Sequence, residues 1–225
     1  MFYNVVVNDW GETTYVPTTL SNVLLVLIIA ALLAGATLLA ARSHRQTNKL
    51  SVKQLTFCAM AIALGTLLSN LKLYDFPWGG SVTLLSMLVI CLPGRFFGVG
   101  AGIMTGVAYG VLQLLIDPYV LFPMQLIVDY LLAFGALGLS GLFVNTKNSL
   151  IKGYLTGVLG RYVFAVISGW IFFGSYAWEG WGALPYSLIY NGIYIFAEAA
   201  ITLIILASPA VRNMLNRVKN MANNN

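Results

Sequence analysis

The stretch IFFGSYAWEGWGALPYSLIYNG, residues 171–192, decides how this chain is read. It joins two long apolar stretches, yet it carries Phe, Tyr and Trp rings, one carboxylate and an amide where a tight turn would do. One reading is an aromatic belt that anchors helix ends at the lipid headgroups. The other is a collar at one membrane face, whose rings and Tyr and Asn handles stack and orient a flat, polar, aromatic small molecule. Charges buried elsewhere in the chain decide between the two.

Moving outward, composition sets the class. Of 225 residues, 59% are apolar and only 8% charged, with a mean hydropathy of +0.84. A soluble globule needs more polar surface, so the chain is expected to be an all-α integral membrane protein. Apolar runs suit spans at about 20–41, 54–71, 81–93, 96–116, 121–144, 151–173 and 185–207, given about 20 residues per crossing. The third is short for a crossing and reads as a broken or re-entrant piece. The first span with its basic linker RSHRQTNKLSVK forms one unit, residues 1–52. A compact six-helix unit with a C-terminal tail forms the other, residues 53–225. Cys58 and Cys91 fall in apolar spans and suggest neither a disulfide nor a metal site. The N-terminus lacks the basic region of a signal peptide, so the first span reads as a retained helix.

Orientation follows from the short loops. Arg42, Arg45, Lys49, Lys53, Arg95, Lys147, Lys152, Arg212, Arg217 and Lys219 fall on one side, which is expected to be cytoplasmic. The other side holds Lys72 with Asp9, Glu12, Asp75, Asp117 and Glu179. The N-terminus is therefore expected outside, the C-terminus inside, and the collar outside. The net charge of +5 records topology and gives no reason to invoke nucleic acid.

Gly98, Gly102, Gly106 and Gly110 recur at every fourth residue and leave one helical face without side chains. Close packing inside the bundle is the plain reading, a sliding surface for a partner the other. Ala59 and Ala63, with Ala61 between them, make a smaller surface of the same kind.

Asp129, Arg161 and Glu198 fall inside apolar spans, where each costs several kcal/mol unless paired or hydrated. At 1.5 Å per residue, Arg161 and Glu198 lie at similar depths, roughly 18 and 20 Å from the outer helix ends, and Asp129 at roughly 10 Å. An Arg161–Glu198 ion pair is the economical reading, with Asp129–Arg161 as an alternative pair. If Asp129 has no internal partner, it is the counter-charge for a cationic, flat ligand, helped by aromatic faces. The loop KLYDFPWGGS, with Trp78 between Pro77 and two glycines, suits a lid. Catalysis has no candidates: His44, the only histidine, lies in a basic loop, and no nucleophile–base pair or paired carboxylates stand out. No GxxxxGK[ST] phosphate loop occurs either. The chain is expected not to be an enzyme and to need no cofactor.

The stretches GSYAWEGWGALPYSLIYNG, LIVDYLLAFGALGLSGLF and GGSVTLLSMLVICLPGRFFGVGAGIMTGVAYG resemble the substrate-binding S components of energy-coupling factor (ECF) vitamin transporters, in particular the thiamine-specific family. The resemblance covers about residues 53–207. It implies a six-helix S-component bundle in a bacterial cell membrane, here preceded by one extra helix, with a vitamin pocket near the outer face. Implied partners are thiamine or a close cationic analogue or precursor, a membrane coupling protein and two cytoplasmic ATPase subunits. Carried over by position, the acidic ligand contact falls on Asp129, where Glu is more usual, and the hydrogen-bonding pair on Tyr186 and Asn191. Pocket tyrosines fall on Tyr119 and Tyr130, a collar tryptophan on Trp178, its neighbour on Ser187 and a basic residue on Arg161. Ala59 and Ala63 match the small-residue motif presented to the coupling protein. The family's stacking histidine falls on Ala165 and a common Trp on Phe173, two departures that bear on the exact ligand. A stand-alone ion-coupled transporter using Asp129 or Glu198 as a proton relay is the competing reading, and a structural membrane assembly protein a third.

Overall fold

The computed structural model describes residues 3–7, 13–20, 23, 27, 51–76, 79–144 and 146–223. Most of the first span and its linker, together with Pro77 and Trp78, lie outside the described residues. N-terminal to the bundle, β1 (Tyr3–Val7) and β2 (Thr13–Pro17) pair antiparallel, a hairpin that the sequence pattern did not suggest.

The bundle begins with α1 (Val52–Ser69). Ser51 caps it: its Oγ accepts from the Gln54 amide at 3.2 Å, while Gln54 Oε1 accepts from the Ser51 amide at 3.1 Å. Such a reciprocal box satisfies donors that the first turn would otherwise leave orphaned. Few α1 side chains are buried, and Met60, Leu64 and Leu67 are exposed.

The expected span at 81–93 is divided differently. Gly79 and Gly80 adopt φ of +89° and +82°, values open to Gly at little cost. The chain reverses there, so that β4 (Ser81–Thr83) pairs antiparallel with β3 (Lys72–Asp75). The segment read as a loop is thus largely a hairpin. Helix α2 then starts only at Ser86 and runs to Phe97. Twelve residues rise about 18 Å, short of a ~30 Å hydrocarbon core. Almost every α2 side chain is buried, so neighbouring helices, rather than lipid, surround this short central piece.

Gly98 (φ +97°) turns α2 into α3 (Val99–Ile116). The next segment, α4 (Pro123–Phe143), is not uniform: a wide π-type turn covers Ile127–Leu132 and a tight 3-10 stretch covers Ala136–Phe143. Its path follows from the glycines of α3. A side-chain carbon on Gly102 would meet the Cα atoms of Gly94 and Gly138 at 2.6 and 2.8 Å, and one on Gly106 would meet the Gly135 Cα at 3.0 Å. On Gly110 it would collide with the Tyr130 carbonyl oxygen. The stripe is a seam of backbone-to-backbone packing between α3, α2 and α4, as the plain reading expected. Gly110→Ala should therefore cost about 1–3 kcal/mol through overpacking, seen as a lower unfolding midpoint in detergent; an unchanged midpoint would show that the seam yields freely.

Helices α5 (Ser149–Phe172) and α6 (Ala183–Ala207) complete the bundle, and α7 (Pro209–Asn223) touches α1, α2 and α6. Among the described residues, five helices are long and apolar enough to cross a membrane, with α2 a shorter apolar one. The main core joins Met87, Leu88, Ile90 and Cys91 of α2 to Tyr109, Leu137, Tyr154, Val158 and the tyrosines of α6.

Candidate functional site

The 171–192 stretch closes one end of the bundle. There α5 ends at Phe172, a short turn covers Gly174–Tyr176, and α6 starts at Ala183. Beneath it lies a cavity of about 220 Å³ walled by α3 to α6 and the β3–β4 hairpin. Aromatic rings make its upper rim. Tyr119 lies nearly parallel to Phe173 (centroids 5.9 Å, 13°), and Phe173 continues to Tyr176 at 6.0 Å. Tyr119 and Tyr176 join hydroxyls at 3.2 Å. On the α6 side Tyr186 stacks on Tyr190 at 5.3 Å, and Tyr190 donates to the Gly79 carbonyl at 2.8 Å, tying the hairpin to the rim. Burial pushes the Tyr119 hydroxyl well above its usual range, so it remains a proton donor.

Asp129 and Tyr130 sit in the wide turn of α4, and both line the cavity. Such turns add a residue per cycle and recur at functional sites. Gln125 Nε2 donates to Asp129 Oδ2 at 3.0 Å and to the Tyr119 carbonyl at 2.8 Å, while Gln125 Oε1 accepts from the Leu121 amide at 2.7 Å. One amide thus fixes both the carboxylate and the preceding loop. Tyr130 Oη adds a bond to the Asp117 carbonyl at 3.2 Å and accepts from the Tyr119 amide at 2.8 Å.

The expected ion pair between Arg161 and Glu198 is not formed. Glu198 accepts from the Thr83 amide (3.3 Å) and hydroxyl (2.6 Å), the Ser86 hydroxyl (3.1 Å) and the Met87 amide (3.0 Å). Its carboxylate caps the start of α2, where free amides and the helix dipole favour an anion. Depth counting could not foresee this, because the acceptor site was created by the late start of α2. Arg161 instead places its guanidinium carbon 4.5 Å over the Phe134 ring, and it too lines the cavity. Among the described residues the ion pairs within 4.0 Å are those of Lys72 with Asp75 (3.1 Å) and Asp117 (3.2 Å), near the rim. Hydrogen bonding to Asp75, then Asp117, raises the Lys72 ammonium pKa. Asp129 and Arg161 therefore face one cavity without clamping each other.

Eight of the residues singled out from sequence line this cavity: Tyr119, Asp129, Tyr130, Arg161, Ala165, Phe173, Tyr186 and Asn191. Ser187 and Trp178 stand behind the wall. Ser187 donates to the Val166 carbonyl at 2.8 Å and accepts from Asn191 Nδ2 at 3.0 Å, so it aims the amide. Trp178 meets the Tyr186 ring edge-on at 5.2 Å and 84°. Trp78 lies outside the described residues. Sequence reading missed Gln125, Ser168, Tyr176, Tyr190 and Tyr194. Tyr186, Tyr190 and Tyr194 repeat at every fourth residue, a helical stripe that could have been read as one wall. Tyr194 donates to Asn191 Oδ1 at 2.7 Å, leaving the amide fully oriented.

A membrane bundle with one aromatic, carboxylate-bearing cavity near its end defines a class: integral membrane proteins that hold a small polar ligand. The family model described as thiamine transporter protein matches residues 55–216, and the chain belongs to that family. It is 38% identical over 146 residues to the thiamine transporter ThiT of Bacillus subtilis, covering 59% of this chain and 76% of that protein. With the thiamine transporter ThiT of Lacticaseibacillus paracasei it shares 29% identity over 118 residues, 45% of this chain and 59% of the relative. A solved structure of ThiT from Listeria monocytogenes superposes with a TM-score of 0.63 at 26% identity, covering 75% of this chain and 96% of that one.

Proposed function

We propose that the chain is the substrate-binding S component of an ECF-type importer and holds thiamine, or a close cationic analogue or precursor, in the aromatic cavity. The observation that carries this reading is Asp129: a carboxylate on a cavity wall, held by Gln125 and, among the described residues, without a cation within 4.0 Å. A lone carboxylate in such surroundings gains most from an incoming opposite charge. Parallel rings at the rim suit the faces of a flat heterocycle, Tyr186 and the oriented Asn191 its polar edge, and Arg161 the far wall. Ala165 leaves open the space that an imidazole would fill, and Phe173 keeps a ring where Trp is more common.

In this reading residues 53–225 form the binding domain, and residues 1–52 an added helix with an outer N-terminus. The basic end of the bundle faces the cytoplasm, and the cavity opens outward. Ala59 and Ala63 are exposed on α1, beside Met60, Leu64 and Leu67, which supports a docking role toward the membrane coupling protein. Energy would come from two ATPase subunits bound to that partner. The competing reading, an ion-coupled transporter acting alone, has less support because four donors already occupy Glu198.

Two measurements test the proposal. Titrating the purified chain with thiamine should quench tryptophan fluorescence saturably at micromolar concentration or below, since Trp178 packs on the cavity wall. Uptake of labelled thiamine into vesicles should require the coupling protein and both ATPases. Absence of a saturable signal would defeat the ligand assignment, and ATPase-independent uptake would defeat the S-component assignment.

A further inference from the structure

The other end of α5 carries a second cavity, of about 350 Å³, walled by the first turn of α5, by α7 and by Arg95 of α2. Arg95 is only 5% exposed. Its Nη2 donates to Asn216 Oδ1 at 2.6 Å and its Nε to Ser149 Oγ at 3.5 Å, while the buried Nη1 has no hydrogen-bond partner. Arg212, Asn213 and Asn216, spaced along one face of α7, complete the wall. A guanidinium is always charged, and burying it without an anion is costly.

Among the described residues no carboxylate lines this cavity. Of its seven acidic residues, Asp9 and Glu12 precede the bundle, Asp75 and Asp117 pair with Lys72, and Asp129 faces the first cavity. Glu179 lies in the collar, and Glu198 is held at the start of α2. Meanwhile α5, a helix of 24 residues, starts beside Arg95 with no side chain capping its first turn, since Asn148 takes a left-handed conformation at φ +60°. Uncapped amides at a helix start add a positive field that favours oxyanions.

We infer that this cavity is an anion site for a phosphate group, bound by Arg95, Arg212 and the Leu150 and Ile151 amides of the first turn of α5, the Ser149 amide being taken by the Thr146 carbonyl. The phosphate belongs either to the headgroup of an anionic lipid or to a free phosphate or phosphate ester. Guanidinium groups match phosphate oxygens two at a time, and a cavity of about 350 Å³ has room for a phosphate group. The assignment is independent of what the aromatic cavity binds.

Thermal unfolding of the full chain in neutral detergent tests it in two arms. One titrates inorganic phosphate against chloride at matched ionic strength; the other adds phosphatidylglycerol or phosphatidylcholine to the micelles. A saturable rise in melting temperature with phosphate assigns the free anion, and one with phosphatidylglycerol only assigns the lipid headgroup. Arg212→Gln should raise the half-saturating concentration about tenfold, and Arg95→Gln at least as much if it folds. Arg217→Gln, outside the cavity, should leave it unchanged. No response in either arm, an undiminished response in Arg212→Gln, or an equal loss in Arg217→Gln would overturn the inference.

Discussion

Asp129→Asn should bind thiamine about tenfold to a hundredfold more weakly than the parent chain while melting at nearly the same temperature. The amide is isosteric and can still meet Gln125, so the fold around the wide turn of α4 has no reason to change. What disappears is the charge. A hydrogen bond to a charged group contributes about 1.5–3 kcal/mol, and screening is weak in a cavity shielded from bulk water. Tryptophan quenching on both proteins measures the ratio directly. Affinities within threefold of each other would mean that the cation is recognised elsewhere, by the aromatic rim alone.

Glu198→Ala is expected to have the largest effect on stability, about 3 kcal/mol or more, read as a drop in the unfolding midpoint in detergent. Truncation leaves the Thr83 and Met87 amides without their acceptor, while the Thr83 and Ser86 hydroxyls, 2.6 Å apart, can still bond each other. Each buried donor left unsatisfied costs about 1–3 kcal/mol. Glu198→Gln keeps one acceptor oxygen and should lose roughly half as much. Because Thr83 belongs to β4, the truncated variant should also loosen the hairpin at the rim, giving faster ligand release in stopped-flow fluorescence. A melting curve identical to the parent's would show that the network is redundant.

Much of this was legible before any coordinates. Hydropathy placed α1, α3, α4, α5 and α6 to within a few residues, because a span must satisfy its own backbone in lipid and so has a fixed length and composition. The collar and the half-buried Asp129 and Arg161 were legible for the same reason: rings and charges stand out against aliphatic surroundings. What the pattern could not carry was pairing. Arg161 and Glu198 have matching depths, but depth along two helices says nothing about which faces meet, and the late start of α2 supplied Glu198 with better donors. The hairpin from Lys72 to Thr83 hid in a segment whose Pro and Gly residues signal a turn without saying what they join. Gln125 and Ser168 were invisible, since an amide or a small hydroxyl in an apolar span looks like tolerated noise until the cavity it lines is known.

The glycine seam between α3 and α4 fixes where this molecule can give. Main chain resting on main chain has no rotamers to exchange, so the walls beside Asp129 and Tyr130 behave as a fixed frame. Compliance is left to the two segments tethered by side-chain bonds instead of packed main chain, the β3–β4 hairpin held by Tyr190 and Glu198 and the loop before α4 held by Gln125 and Tyr130. Residence time and affinity should accordingly be separable: substitutions at those two tethers change how long a ligand stays, whereas substitutions in the frame change whether it is recognised.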